Sequence, residues 1–122
     1  MSNMKEAVMK MDKAWGEKDE TAFRALIHDD YTFQSPMSAL KSADEAIALL
    51  KIFPFTANTK NHEFIIEDNK VVHVFDWEAT APFQKTIPMT EIVEFDGGKA
   101  KKVRLFYDTG LFPQDVMANR KS

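Results

Sequence analysis

Apolar positions recur in two rhythms along the chain, and the rhythm changes near its middle. From the amino terminus, Met4, Val8, Met11 and Trp15 fall three or four residues apart. That spacing predicts an amphipathic first helix with one apolar stripe, loosened at its end by Gly16. Asp19 stands where an N-cap would, with Phe23, Leu26 and Ile27 as the buried side of a short second helix. The stretch HDDYTFQSP, residues 28–36, then alternates: Tyr31, Phe33 and Ser35 share one parity, Thr32 and Gln34 the other. A strand over 31–35 puts the aromatics and the hydroxyl on one face. SADE, residues 42–45, has the spacing of a capping box. Ala46, Ile47, Leu50 and Phe53 continue it as a third helix, which Pro54 ends.

From Thr59 onward the period is that of strands, predicted over 60–67, 71–81, 85–95 and 100–107. EDNK marks the first turn between them, and APFQ, a weaker signal, marks the second. DGGK marks the third, its glycines free to take positive φ. Consecutive hairpins give a strongly curved antiparallel sheet. Helices gathered before such a sheet define an α+β fold. The tail after Asp108 is expected to form a short helix with Pro113 in its first turn.

Composition narrows the class. A chain of 122 residues without repeat or linker reads as one domain over 1–122, able to bury a core of its own. Cysteine is absent, which removes disulfides, thiolate metal sites and a cysteine nucleophile, and agrees with a cytoplasmic location. No apolar run is long enough to span a bilayer, and the amphipathic N-terminus lacks the apolar core of a signal peptide. A net charge of −3 with interspersed signs argues against a nucleic-acid partner. Lys99, Lys101, Lys102 and Arg104 are expected to guard a solvated sheet edge.

Few residues carry chemistry by themselves. Ser35 has no nucleophile elbow around it and no histidine near it in sequence; it is read either as a turn cap before Pro36 or as a ligand contact. Glu91 shares parity with Val93 and Phe95, so its carboxyl is expected inside, where it must be paired, hydrogen-bonded or neutral. His28, His62 and His73 show no metal-ligand spacing with one another or with carboxylates, and no metal is expected. His73 in VVHVF reads as a satisfied sheet histidine, and His62 as a rim residue of a pocket.

The strings AWGEKDETAFRALIHDDYTFQSP and IPMTEIVEFDGGKAKKVRLFYD, with the order of elements, resemble the nuclear transport factor 2-like superfamily, in particular its SnoaL-like branch. The resemblance covers nearly the whole chain. It implies a cone, in which a curved antiparallel sheet wraps the N-terminal helices around a deep apolar pocket. It does not imply one activity, since relatives include isomerases, cyclases, epoxide hydrolases, dehydratases and binding domains. Against the ketosteroid isomerases, Ser35 stands at the position of the base, Met11 at that of the tyrosine and Glu91 at that of the oxyanion aspartate. A serine with no base beside it cannot abstract a carbon-bound proton at neutral pH, so steroid isomerase chemistry is not expected. Against the limonene-epoxide hydrolases, Asp76 and Asp108 match the two aspartates, while Val74 replaces the bridging arginine.

Together these readings predict a protein binding a small, mainly apolar molecule with a polar head, without a metal or organic cofactor. Asp76, Glu91 and Asp108 are the expected acid–base groups. Trp15, Tyr31, Phe33, Ser35, His62 and Tyr107 are the expected ligand contacts. The competing reading is a non-catalytic binding or dimerisation module, its cone plugged by Trp15, Phe33 and Met89. If Asp76 faces the pocket, Phe75 and Trp77 face outward, and a homodimer centred on that pair is expected.

Overall fold

The structure is a computed structural model and describes residues 3–113. Helix α1 spans Asn3–Gly16, α2 Glu20–Leu26 and α3 Ala43–Ile52. Strands are β1 Ile27–Gln34, β2 Ala39–Leu40, β3 Thr56–Glu67, β4 Lys70–Ala81, β5 Lys85–Asp96 and β6 Lys99–Phe106. The helix caps form where the sequence places them. Asp19 accepts the Ala22 amide at 3.0 Å and Ser42 that of Glu45 at 3.1 Å. The Glu45 carboxylate reaches back one residue further than the capping box, to the amide of Lys41 at 2.9 Å.

The strands form one curved, unclosed sheet in the order β2-β1-β6-β5-β4-β3. Three antiparallel hairpins run from β3 to β6, as expected. The first strand departs from the expectation: β1 lies parallel to β6, so the sheet is mixed. Helix α3 and β3 to β5 intervene between β1 and β6, a long enough connection for parallel pairing. Strand β6 is therefore paired on both sides, and its lysines guard no edge; the edges are β2 and β3. A 3-10 turn, Thr109–Leu111, follows β6, and Pro113 lies beyond it rather than in its first turn. The rest of the expected tail helix lies outside the described residues. No helix among those described is long and apolar enough to cross a membrane.

The inner face of the sheet carries His73 and Phe75 of β4 and Ile87, Met89, Glu91, Val93 and Phe95 of β5, all buried. Helices α1, α2 and α3 cover one part of that face through Val8, Met11, Phe23 and Leu50. Toward the other end, Phe55, Phe75, Ile87, Met89 and Phe112 form a second apolar cluster. Inward Phe75 reverses the expected facing of β4. Trp77 points inward with it, while Asp76 and Glu78 lie on the opposite face, bonded to Asn61 and Lys60. The expected dimer centre is thus interior, its rings packed against Phe55 and Phe112.

Candidate functional site

A cavity of about 180 Å³ opens between the two apolar clusters. A single water needs roughly 10–15 Å³ on this measure, so the space is far larger than a packing gap. Trp15, Phe33 and Met89 line its wall without plugging it. Tyr31, Ser35, Glu91 and Tyr107 also reach it, as does Asp12 of α1, which sequence reasoning does not single out. The lining is otherwise largely aromatic and aliphatic, which suits a small apolar molecule carrying one polar group.

The turn-cap reading of Ser35 holds. Its hydroxyl oxygen accepts the amides of Met37 at 3.3 Å and Ser38 at 3.1 Å, closing the β1–β2 turn, and the residue lines the cavity. Tyr107 lies beside the cavity with its ring 5.5 Å from that of Phe112. Three expected site residues do not line the cavity. Asp76 accepts a hydrogen bond from the Asn61 side chain at 2.8 Å. Asp108 caps the 3-10 turn through the Gly110 amide, also at 2.8 Å. His62 sits half-buried on β3 and meets the site through another residue.

That residue is His73, fully buried at the centre of a polar chain. Its Nδ1 lies 2.7 Å from Oε2 of Glu91 and 3.6 Å from Oδ2 of Asp12. Its Nε2 lies 2.8 Å from Nδ1 of His62. The sheet register sets the first contact, because His73 and Glu91 are cross-strand partners on β4 and β5. A β-bulge sets the contact with His62. The β3–β4 register shifts between Lys60 and Glu63, and Asn61 takes φ 57°. The extra residue turns His62 to the same face as His73. Phe64 and Phe75 hold the His73 ring between them, with centroids at 4.4 and 4.5 Å.

Burial governs the protonation of this group. It raises the Glu91 carboxyl to about 7, against the opposing pull of a hydrogen bond from Asp12. Asp12 is raised as well, first by burial and then by the Glu91 charge. Two carboxyls this close in an apolar setting retain a proton between them. Burial lowers His73, against the charge of Asp12. His62 is lowered by burial and then by His73. Tyr31 is raised by burial, then by Glu91 and Asp12, so its phenol stays protonated and available as a donor.

Asp12, His73 and Glu91 each offer one ligand atom, and the three atoms lie within 4.8 Å of one another. The 2.7 Å separation of Nδ1 and Oε2 is a hydrogen-bond distance. Two ligands about 2.0–2.2 Å from one tetrahedral ion sit wider apart, so as these side chains stand His73 and Glu91 share a proton.

Sequence reasoning locates Glu91 but misses its partners. A signal for Asp12 exists: it stands four residues after Val8 and three before Trp15, on the border of the apolar stripe. The reading of His73 as a satisfied histidine holds, but the groups that satisfy it are the site itself.

Known proteins bear out this architecture. No curated protein matches the chain. An LEH-like epoxide hydrolase from M. tuberculosis superposes with a TM-score of 0.77 at 18% identity, covering 96% of this chain and 95% of that one. An NTF2-like protein of unknown function from Burkholderia pseudomallei gives 0.73 at 20% identity, covering 90% and 94%. A protein with a ketosteroid isomerase-like fold from Catenulispora acidiphila, in complex with trimethylamine, gives 0.73 at 13% identity, covering 87% and 88%. At these identities the likeness is one of fold. The SnoaL-like domain model matches residues 8–103, most of the chain and every strand from β1 to β5, and the protein belongs to that family.

Proposed function

We propose that this protein is an acid–base enzyme acting on a small, mainly apolar molecule with a carbonyl or hydroxyl head, by isomerisation, cyclisation or hydration. The observation that carries the reading is Glu91: a carboxyl on the wall of an apolar cavity, raised to about 7. Such a group holds and releases a proton near neutral pH, the condition under which general catalysis is most effective. Glu91 takes the proton from the substrate. Asp12 keeps the proton of the carboxyl pair and, with the Tyr31 hydroxyl, donates toward the oxygen on which charge develops. The apolar wall limits competing water, and the Ser35 turn borders the space for the polar head. This division of labour differs from the expected one, because Asp76 and Asp108 take no part in it.

The test begins with native mass spectrometry and identification of any small molecule carried by the purified protein. Its class then selects enolisable ketones for hydrogen–deuterium exchange, followed by NMR in wild type and Glu91→Gln. Exchange that rises through pH 7 in wild type and falls about 100-fold or more in the variant supports the reading. Equal exchange in both proteins overturns it, and a bound ligand without turnover points to a binding protein.

A further inference from the structure

We infer that His73 and His62 form a proton relay joining the cavity carboxyl Glu91 to solvent at the edge of the sheet. The inference rests on Glu91 being the acid–base group. It adds a route by which that group is recharged when its proton is gained or lost inside an apolar cavity.

The path crosses three neighbouring strands: Glu91 on β5, His73 on β4 and His62 on β3. Each link is a hydrogen bond, 2.7 Å then 2.8 Å. The His rings are nearly coplanar: 16° between planes and 5.1 Å between centroids, with facing nitrogens at bonding distance. Such edge-to-edge rings align an N–H with a lone pair. His73 is fully buried and can pass a proton only to these partners or to Asp12. His62 is half-buried on an edge strand, so the chain ends where water is reachable.

The transfer balances with no net charge on either ring. At the start Glu91 is protonated and both histidines are neutral with hydrogen on Nε2. The Glu91 proton moves to His73 Nδ1, the His73 Nε2 proton moves to His62 Nδ1, and His62 releases its Nε2 proton to water. Glu91 ends as a carboxylate, and each ring has changed tautomer. The reverse sequence reprotonates Glu91. Burial raises Glu91 and lowers His73, which favours the neutral forms of both groups over an ion pair, as the uncharged transfer requires. The ionisable groups facing the path are Asp12 and Tyr31 beside Glu91, and Lys5 over the Phe64 ring at 5.1 Å.

The relay is tested without substrate. Nitrogen-15 NMR of the imidazoles across pH 5 to 9 reads the tautomer of each ring. Wild type is expected to switch both rings together as Glu91 titrates, and Glu91→Gln to hold His73 as the Nδ1–H form throughout. A single fixed tautomer of His73 across the Glu91 transition in wild type overturns the relay. Relaxation dispersion on carbon-13 of the Glu91 carboxyl then reads proton exchange with solvent. His62→Ala leaves the cavity wall intact and is expected to slow that exchange about tenfold, with added imidazole restoring it in the space of the missing ring. An unchanged rate overturns the relay. These outcomes are independent of turnover, so a working relay in a protein that catalyses nothing refutes the proposed function and leaves this inference standing.

Discussion

Replacing Glu91 by glutamine separates the cost of the buried carboxyl from everything else in the fold. The native group titrates at about 7 instead of the ordinary 4.5. Between those values the folded chain holds a proton that the unfolded chain has lost. Folded protein therefore binds more protons, and stability falls as pH rises through that window. At about 1.4 kcal/mol for each tenfold in the proton equilibrium, the ionised carboxyl costs the fold about 3 kcal/mol above pH 7. His62 and His73 act in the opposite direction. Both are lowered from 6.5, so the unfolded chain takes up protons that the fold refuses, and stability falls as pH drops. Asp12, raised first by burial, adds to the loss at higher pH, so wild type alone sums several groups and the difference between the proteins is the informative quantity. In the variant, the glutamine side chain still offers a carbonyl to the His73 N–H. Urea unfolding followed by the fluorescence of Trp15 and Trp77, at intervals from pH 4 to 8, measures that difference. The stability of the variant relative to wild type should be constant below pH 4.5 and climb by about 3 kcal/mol by pH 8. The same offset at pH 4 and pH 8 would refute the assignment of a buried, proton-holding Glu91.

Three further sets of substitutions probe the frame and the limits of the site. Ser42→Ala removes the hydroxyl that accepts the Glu45 amide and should cost about 1 kcal/mol in thermal unfolding. Leu50→Ala empties a fully buried position under α3 and should cost about 2–5 kcal/mol in urea unfolding. Asp76→Asn and Asp108→Asn keep their hydrogen-bond acceptors outside the cavity wall, so ketone exchange should stay within about twofold of wild type. A large loss in either variant would return these aspartates to the mechanism.

The frame is legible in the sequence because it rests on local rules. Asp19 and Ser42 cap helices through amides three residues away, and Gly97 and Gly98 turn the last hairpin with φ of 61° and 81°. Strand β1 is harder to read. It starts at Ile27, yet the charged run His28, Asp29 and Asp30 conceals its alternation. Its parallel partner β6 lies far along the chain, where no local signal reaches. The two-residue strand β2 is held by its pairing with β1 and by the Ser35 turn, and shows no periodicity of its own.

The site is hidden for a different reason: it depends on register, and register here depends on two irregularities. Ala79 faces Lys85 across five intervening residues, which pairs His73 with Glu91. Reading APFQ as a four-residue turn shifts every partner by one and sets His73 against Ile92, leaving Glu91 without its hydrogen-bond partner. On the other side, strict alternation from Thr59 gives His62 the face opposite Thr59. The bulge at Asn61 cancels that assignment and brings His62 to the inner face. The inference that Asp76 faces the pocket fails in the same way, for it borrows a position from relatives where the strand's own buried set, Val71, His73, Phe75 and Ala79, already fixes the inner parity. Once that parity is taken from the buried residues, Asp76 is carried outward and His73 inward. The proposed acid–base group follows from the burial of Glu91 beside His73, without any appeal to a relative's chemistry.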